Sequence, residues 1–187
     1  MKNYLTIFLL FITIGLFSQE VFYIHTVNIP QENQEHFEKI MTDYVTELAQ
    51  DEISKGDIKA WYLMKRVPNI GEIDSDEPNY LWIHVFDSYE DMTAGNQWWN
   101  NSKEKYGIDP SILYSGFNGT TGGFYYWQTE KAIESDVKAQ YLILNFARPK
   151  DLNSVMEVNQ DVEKHFKKNL VKSGMTGWGY ATRIAPQ

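Results

Sequence analysis

Hydrophobic positions change their spacing from one segment of the chain to the next, and each spacing predicts an element. Apolar and aromatic residues are nearly continuous in 21–30 and in 59–69, and each run has a proline near its end, which is typical of strands. Between these runs, apolar residues recur three and one positions apart, which predicts an amphipathic helix of about 20 residues that ends at Gly56. A loop, a strand, a helix and a strand follow, over 70–79, 80–86, 88–105 and 124–130.

The order of predicted elements starts again in the last part of the chain. A strand, a helix and a strand are predicted over 141–149, 152–170 and 177–186. Two side chains of the second strand recur at the same spacing in the last strand, Trp61 as Trp178 and Arg66 as Arg183. Internal similarity of this kind indicates a repeated unit. We therefore predict one unit over 19–134 and an incomplete second repeat over 135–187 that packs with it.

The third predicted strand has two different sides. Its alternate residues are Leu81, Ile83 and Val85 on one side and Tyr80, Trp82, His84 and Phe86 on the other. Strand-helix-strand-strand-helix-strand is the order of a ferredoxin-like βαββαβ unit, an α+β fold in which both helices cover one face of an antiparallel sheet. We expect the aliphatic side to face the helices. The aromatic side would then lie on the open face, where exposed apolar side chains mark an interaction surface.

The N-terminus has the layout of a secretory signal peptide. Lys2 precedes an apolar run over 4–17, and Ser18 offers a small residue before the polar sequence begins. We predict that 1–18 is removed and that the protein is exported, to the periplasm or beyond the cell. The apolar run is shorter than the ~20 residues of a membrane-spanning helix, and no second run approaches that length. No membrane span is therefore expected after signal removal.

Composition narrows the function further. The chain has no Cys, which excludes disulfides, thiolate metal sites and cysteine nucleophiles. The net charge is −8 and the cationic residues are scattered, so nucleic acid is not an expected partner. Aromatic residues make up 15% of the chain, and Tyr and Trp in such numbers are typical of ligand walls, subunit interfaces or an aromatic core.

The element order, together with 81-LWIHVFDSYEDM-92, resembles the dimeric α+β-barrel superfamily, which includes antibiotic-biosynthesis-type and haem-degrading monooxygenases. The resemblance implies that two ferredoxin-like sheets enclose a cavity, either between repeats of one chain or across a homodimer. Haem-degrading members use a histidine near the end of the second helix, and 96–107 contains none. We therefore expect neither haem nor another cofactor.

Candidate site residues follow from the expected open face and from the repeat. His84, placed between two aromatic residues, is the candidate catalytic base, because burial tunes an imidazole for proton transfer near neutrality. The candidate ligand-binding residues are Tyr80, Trp82, Phe86, Trp61, Trp178, Arg66, Arg183 and Asn145. His25 on the first strand faces either side, depending on which residues of the two repeats are aligned. No carboxylate is spaced to complete a metal site with these histidines, so none is expected.

Three functions remain open from the sequence. The leading hypothesis is an exported protein that binds a small apolar or aromatic molecule in a cavity on the open sheet face. The alternatives are a cofactor-independent monooxygenase or proton-transfer enzyme that uses His84 as base, and an aromatic face that serves only as a dimer interface. Whether the chain is an enzyme at all is not decided by its sequence.

Overall fold

The structure is a computed structural model that describes residues 19–67, 78–94, 98–111, 117–137 and 139–185. The predicted signal peptide over 1–18 lies outside the described residues and remains a prediction. Within the described ranges, no helix is long and apolar enough to cross a bilayer.

In the described ranges, five strands form one antiparallel sheet. They are β1 (Val21–Asn28), β2 (Ala60–Lys65), β3 (Tyr80–Phe86), β4 (Thr120–Glu134) and β5 (Gly177–Ala185). Their order across the sheet is β2-β3-β1-β4-β5, and every neighbouring pair is antiparallel. Because β3 runs antiparallel to both β1 and β2, those two strands are parallel to each other with β3 inserted between them. This split βαβ arrangement confirms the predicted ferredoxin-like α+β fold.

The first connection is a long helical segment that packs on the sheet. It consists of α1 (Gln34–Ile40), a π-helical turn (Met41–Val45) and α2 (Thr46–Lys55). Three residues of its apolar stripe, Phe37, Met41 and Leu48, are fully buried. The segment ends at Gly56, whose φ of 83° lies in the left-handed region that glycine adopts without a steric cost. The helix predicted from the sequence is confirmed, including its end.

The second connection is helical but interrupted. It contains α3 (Tyr89–Ala94), a 3-10 turn (Trp98–Asn101) and α4 (Ser102–Tyr106) in place of the single helix that was predicted. The predicted cap at its start is confirmed, because the Asp91 amide donates to Ser88 Oγ at 3.0 Å. Asn101 donates to the buried carboxylate of Glu52 at 2.9 Å, which ties this segment to α2.

The aromatic side of β3 lies beneath the helices, so its predicted orientation is wrong. The Phe37 ring of α1 lies 4.8 Å from the Tyr80 ring and 5.7 Å from the Trp82 ring, measured between centroids. The physical reason is that buried Tyr, Trp and His side chains need hydrogen-bond partners. The helical layer supplies them: the Tyr80 hydroxyl, for example, donates to Glu38 Oε1 at 2.5 Å. His84 and Phe86 face the same layer and are buried in it.

The aliphatic side of β3 faces away from the helices. Ile83 and Val85 are buried there together with Ile24 of β1. Phe22 and Trp127 pack against this group, with their rings nearly parallel and 6.5 Å apart. Both faces of the sheet are therefore apolar, and the two sides of β3 differ in whether their side chains carry polar atoms.

The C-terminal part follows the predicted order only in part. The predicted helix and last strand are confirmed as α5 (Leu152–Asn169), followed by a 3-10 turn (Val171–Ser173), and as β5. The predicted strand over 141–149 is wrong for this structure, because these residues belong to no strand. α5 packs against β4 and β5, and its Phe166 ring contacts the Trp178 ring at 5.7 Å. The predicted division at 134/135 coincides with the end of β4 and remains a prediction.

Candidate functional site

The histidines of β1 and β3 lie in one group of aromatic rings between the sheet and the helical layer. β1 and β3 are antiparallel neighbours, and their register places Tyr23 opposite His84 and His25 opposite Trp82. All four side chains point to the helix-covered face, where Trp98 closes the group from the second helical connection. We call Tyr23, His25, Trp82, His84 and Trp98 the aromatic-histidine cluster.

His84 is held firmly within this cluster. Its ring is stacked on the Tyr23 ring, with a centroid distance of 4.3 Å and an interplanar angle of 15°. Its Nδ1 accepts a hydrogen bond from Trp98 Nε1 at 3.1 Å. A nitrogen that accepts a hydrogen bond carries no proton, so the neutral ring has its proton on Nε2.

Burial keeps His84 neutral. The pKa of this imidazole is lowered to about 3, mainly by burial and to a smaller extent by the charge of His25. An imidazole with this pKa is neutral throughout the physiological range. Its role as a catalytic base remains a prediction, and Nδ1 is already engaged by Trp98.

His25 differs from His84 in having an uncommitted ring nitrogen. The structure places it on the helix-covered face, which resolves the ambiguity left by the repeat alignment. Its ring is stacked on Phe124 at 4.0 Å and tilted against Trp82 at 4.8 Å. Its Nε2 is buried and has no hydrogen-bond partner among the described residues. A buried polar atom without a partner is uncommon and often marks a site of interaction.

Burial also lowers the pKa of His25, to about 4. The neutral ring can accept a hydrogen bond at one nitrogen and donate one at the other. Because only about one molecule in a thousand is protonated three pH units above the pKa, His25 is a weak proton acceptor at neutral pH. Its chemistry favours hydrogen bonding to a neutral group over proton transfer.

Three other predicted site residues join the same side of the sheet as parts of the core. Tyr80 is buried. Its pKa is raised to about 12, mainly by burial and to a smaller extent by its hydrogen bond to Glu38. Phe86 is fully buried. The Trp61 ring of β2 contacts the Trp98 ring edge-on at 6.2 Å. These three residues belong to the same core as the cluster, and Trp61 packs against its Trp98 ring.

The remaining predicted ligand-binding residues do not converge with His84. Arg183 of β5 lies opposite Trp127, on the face away from the helices, and its guanidinium group is 4.8 Å from the centre of the Tyr125 ring. Trp178 packs on α5, and Arg66 follows the other edge strand, β2. Asn145 is exposed on the segment that was predicted to be a strand. The repeat makes Arg66 equivalent to Arg183 and Trp61 equivalent to Trp178, but β2 and β5 are the two edge strands, so the members of each pair lie at opposite edges of the sheet.

Sequence reasoning did not include Tyr23, His25, Trp98 and Phe124 in the site. Alternation alone could have grouped Tyr23 with His25, because residues two apart on a strand share a face. Phe124 required knowledge of the register between β1 and β4, in which it lies opposite His25.

No group of three or more His, Asp or Glu side chains in the described ranges is arranged to hold a metal ion. The two imidazoles of the cluster have no carboxylate beside them to complete such a set within those residues.

Comparison with known proteins finds similar chains only among solved structures. No protein-family model and no curated protein matches this sequence. A solved dimeric ferredoxin-like protein from an uncultured marine organism is similar, with 14% identity, a TM-score of 0.36, and coverage of 60% of this chain and 97% of that chain. SnoaB, a cofactor-independent oxygenase from Streptomyces nogalater, is similar with 12% identity, a TM-score of 0.34, and coverage of 68% and 99%.

The chain is a ferredoxin-like α+β protein, as the order of its strands shows and as the order of the predicted elements indicated. Within this fold its distinguishing feature is a pair of neutral histidines set among aromatic rings on the helix-covered face.

Proposed function

We propose that this protein binds a small, flat aromatic molecule that carries a hydroxyl or carbonyl group, at the His25 edge of the aromatic-histidine cluster. The observation that supports this proposal is the buried His25 Nε2 without a partner. A ligand oxygen at this nitrogen would satisfy it, and the neighbouring rings would contact the apolar body of the ligand.

The position of His25 in the cluster makes it the contact residue. His84 lies deeper, and Trp98 occupies one of its nitrogens. His25 is only partly buried, and its neighbour Phe124 is 41% exposed. His25 is therefore the residue of the cluster nearest to solvent, and Phe124 lies beside it.

Binding is favoured over catalysis by the protonation state of both histidines. Each is neutral at pH 7, with its pKa lowered by burial. A neutral imidazole with a conjugate-acid pKa of about 4 serves well as a hydrogen-bond partner and poorly as a general base. The proton-transfer alternative would require the ligand to raise this pKa by several units.

We also propose that the mature protein acts outside the cytoplasm. This part of the proposal rests on the sequence over 1–18, with its positive start, apolar centre and small residue at Ser18. N-terminal sequencing of the protein from its own host tests it, and a chain that still begins at Met1 would contradict it.

The ligand site is tested with two probes that differ by one hydroxyl group, 1-naphthol and naphthalene. Wild-type protein should bind 1-naphthol about 5- to 10-fold more tightly, since one hydrogen bond contributes about 1 kcal/mol. In His25→Phe the aromatic contacts remain and the nitrogen is lost, so the preference for 1-naphthol should disappear. Isothermal titration calorimetry measures both dissociation constants.

The matched control is His165→Phe, the same substitution at an exposed histidine of α5. It should retain the wild-type preference. Equal affinities of wild-type protein for the two probes, or an unchanged preference in His25→Phe, would contradict the proposed role of His25.

A further inference from the structure

Exposed apolar side chains are concentrated in one stretch of the chain. Eight of the fifteen large hydrophobic side chains that are exposed in the described residues lie between 141 and 158. Five of them are nearly consecutive: Tyr141, Leu142, Ile143, Leu144 and Phe146. Single exposed apolar residues are ordinary, but a contiguous group marks an interaction surface.

The backbone of the same stretch is also without a sheet partner. The sequence of 139–149 has the pattern of a strand with apolar residues on both sides, but these residues belong to no strand. No backbone hydrogen bond of the described residues, outside helices and strands, involves them. Strands that are apolar on both sides are normally paired and covered on both faces. A free backbone of this kind is a template for pairing with another chain.

The two sides of this stretch are not equally exposed. Phe146 contacts the Trp127 ring of the same chain at 5.5 Å, and Leu144, on the same side by alternation, is 38% exposed. Ile143 on the other side is 82% exposed. The side with Phe146 therefore contacts the sheet of its own chain, and the side with Ile143 faces away from that sheet.

Charge and area favour a second copy of this chain as the partner. The protein carries a net charge of −8, but 139–147 contains no charged residue, so two copies can meet there without bringing like charges together. The five apolar side chains of 141–146 expose an area on the order of several hundred Å², comparable with the about 800 Å² that each partner buries in a standard interface. An antiparallel contact of one segment with its own copy also satisfies two-fold symmetry.

We propose that residues 141–147 form a β-strand in a homodimer, where they pair antiparallel with the same residues of a second copy. The pairing supplies hydrogen bonds to both backbones, and the outward side of each strand is covered by the partner. The proposal is independent of the ligand site at His25, which lies on the opposite face of the sheet from Trp127.

The first test compares two lysine substitutions at exposed apolar residues. Ile143→Lys places a charge inside the proposed interface, whereas Val171→Lys places one at a position that is 70% exposed outside it. Native mass spectrometry and light scattering should find wild-type protein and Val171→Lys dimeric. Ile143→Lys should weaken the dimer by at least about 100-fold, because a buried unpaired charge costs several kcal/mol.

Both substituted positions are exposed within one chain, so both variants should fold, which circular dichroism verifies. A wild-type protein that is monomeric at every concentration, or an Ile143→Lys dimer as strong as that of Val171→Lys, would overturn the proposal.

The second test uses the absence of cysteine from the chain. Single cysteines introduced in turn over 141–147 should form an intermolecular disulfide under mild oxidation at the symmetry centre of the strand pair, where equivalent residues meet. A cysteine at Val171 serves as the control and should not cross-link. The absence of a cross-link at every position of 141–147 would contradict antiparallel self-pairing.

Hydrogen exchange separates this pairing from a strand formed within one chain. The amides of 141–147 should be protected in the dimer and should exchange freely in the monomeric Ile143→Lys variant. Protection that persists in the monomer would show that the strand forms without a second copy.

Discussion

The two ends of the chain bury their apolar residues to very different extents. In the N-terminal part, up to the end of β4, apolar residues of α1 and α2 are buried against the aromatic side of β3. In the C-terminal part, α5 has a comparable stripe, but Leu152 and Val155 in its first half are exposed, no residue of the helix is buried, and only Leu170, just beyond its end, is buried. Both segments have an amphipathic pattern. The difference shows that such a pattern creates the need for a covering surface, which the fold of one chain supplies in full for α1 and α2 and only in part for α5.

The largest expected effect is a difference between the two regions in how much the loss of one aromatic ring lowers the free energy of unfolding. Phe37→Ala removes a fully buried ring that contacts Tyr80 and Trp82, and it should lower the free energy of unfolding by about 3–5 kcal/mol. Phe146→Ala removes a ring that is 65% exposed and should cost less than about 1 kcal/mol. Urea unfolding measures both changes in the Ile143→Lys background, so that a second copy does not contribute. Similar costs at the two positions would remove the contrast between the regions.

A smaller effect concerns how the free energy of unfolding depends on pH, through His84 in the N-terminal part. His84 has a pKa of about 3 in the folded protein, lowered by burial, against an ordinary value of 6.5 in the unfolded chain. Below pH 6.5 the imidazole of His84 binds a proton in the unfolded chain but not in the folded protein. The contribution of His84 to the free energy of unfolding is therefore fully present above that pH and is lost as the pH decreases towards 3. Between pH 7 and pH 5 this linkage should remove about 2 kcal/mol from the free energy of unfolding. Urea unfolding at several pH values measures the slope.

The control for this acid response uses the same substitution at two histidines. His84→Gln retains an acceptor for Trp98 but does not titrate, so the loss of stability between pH 7 and pH 5 should become smaller. His165→Gln, at an exposed position in the C-terminal part, should retain the wild-type slope. Identical slopes in wild-type protein and His84→Gln would show that another group governs the acid response.

The smallest effect tests the polar contact between sheet and helix. Tyr80→Phe removes the hydroxyl group that donates to Glu38, a carboxylate that also pairs with Lys65 at 2.8 Å. Because Glu38 is partly exposed, the expected cost is about 1 kcal/mol. Tyr141→Phe, at an exposed tyrosine of the C-terminal part and measured in the monomeric Ile143→Lys background, should change stability by less than about 0.5 kcal/mol. Thermal unfolding of both variants measures the difference, and an unchanged midpoint in Tyr80→Phe would show that water replaces this contact at no cost.

The local pattern of the sequence determined most of the elements. The third strand, the long first helix with its end at Gly56, and the cap at Ser88 were predicted from residues close together in the chain. Such features depend on alternation, helical spacing and backbone preference, which act over a few residues. The order of these elements was enough to predict the ferredoxin-like fold, since few topologies accept it.

The tertiary structure alone decided which side of each strand faces the helices. Alternation separated the aliphatic residues of β3 from Tyr80, Trp82, His84 and Phe86. It did not determine which of the two sides faces the helices. That direction was settled by hydrogen bonds between residues far apart in sequence, such as Tyr80 with Glu38. The same holds for the site: His25 meets Phe124 only through the register of β1 with β4, and long-range pairing of this kind leaves no local mark in the sequence.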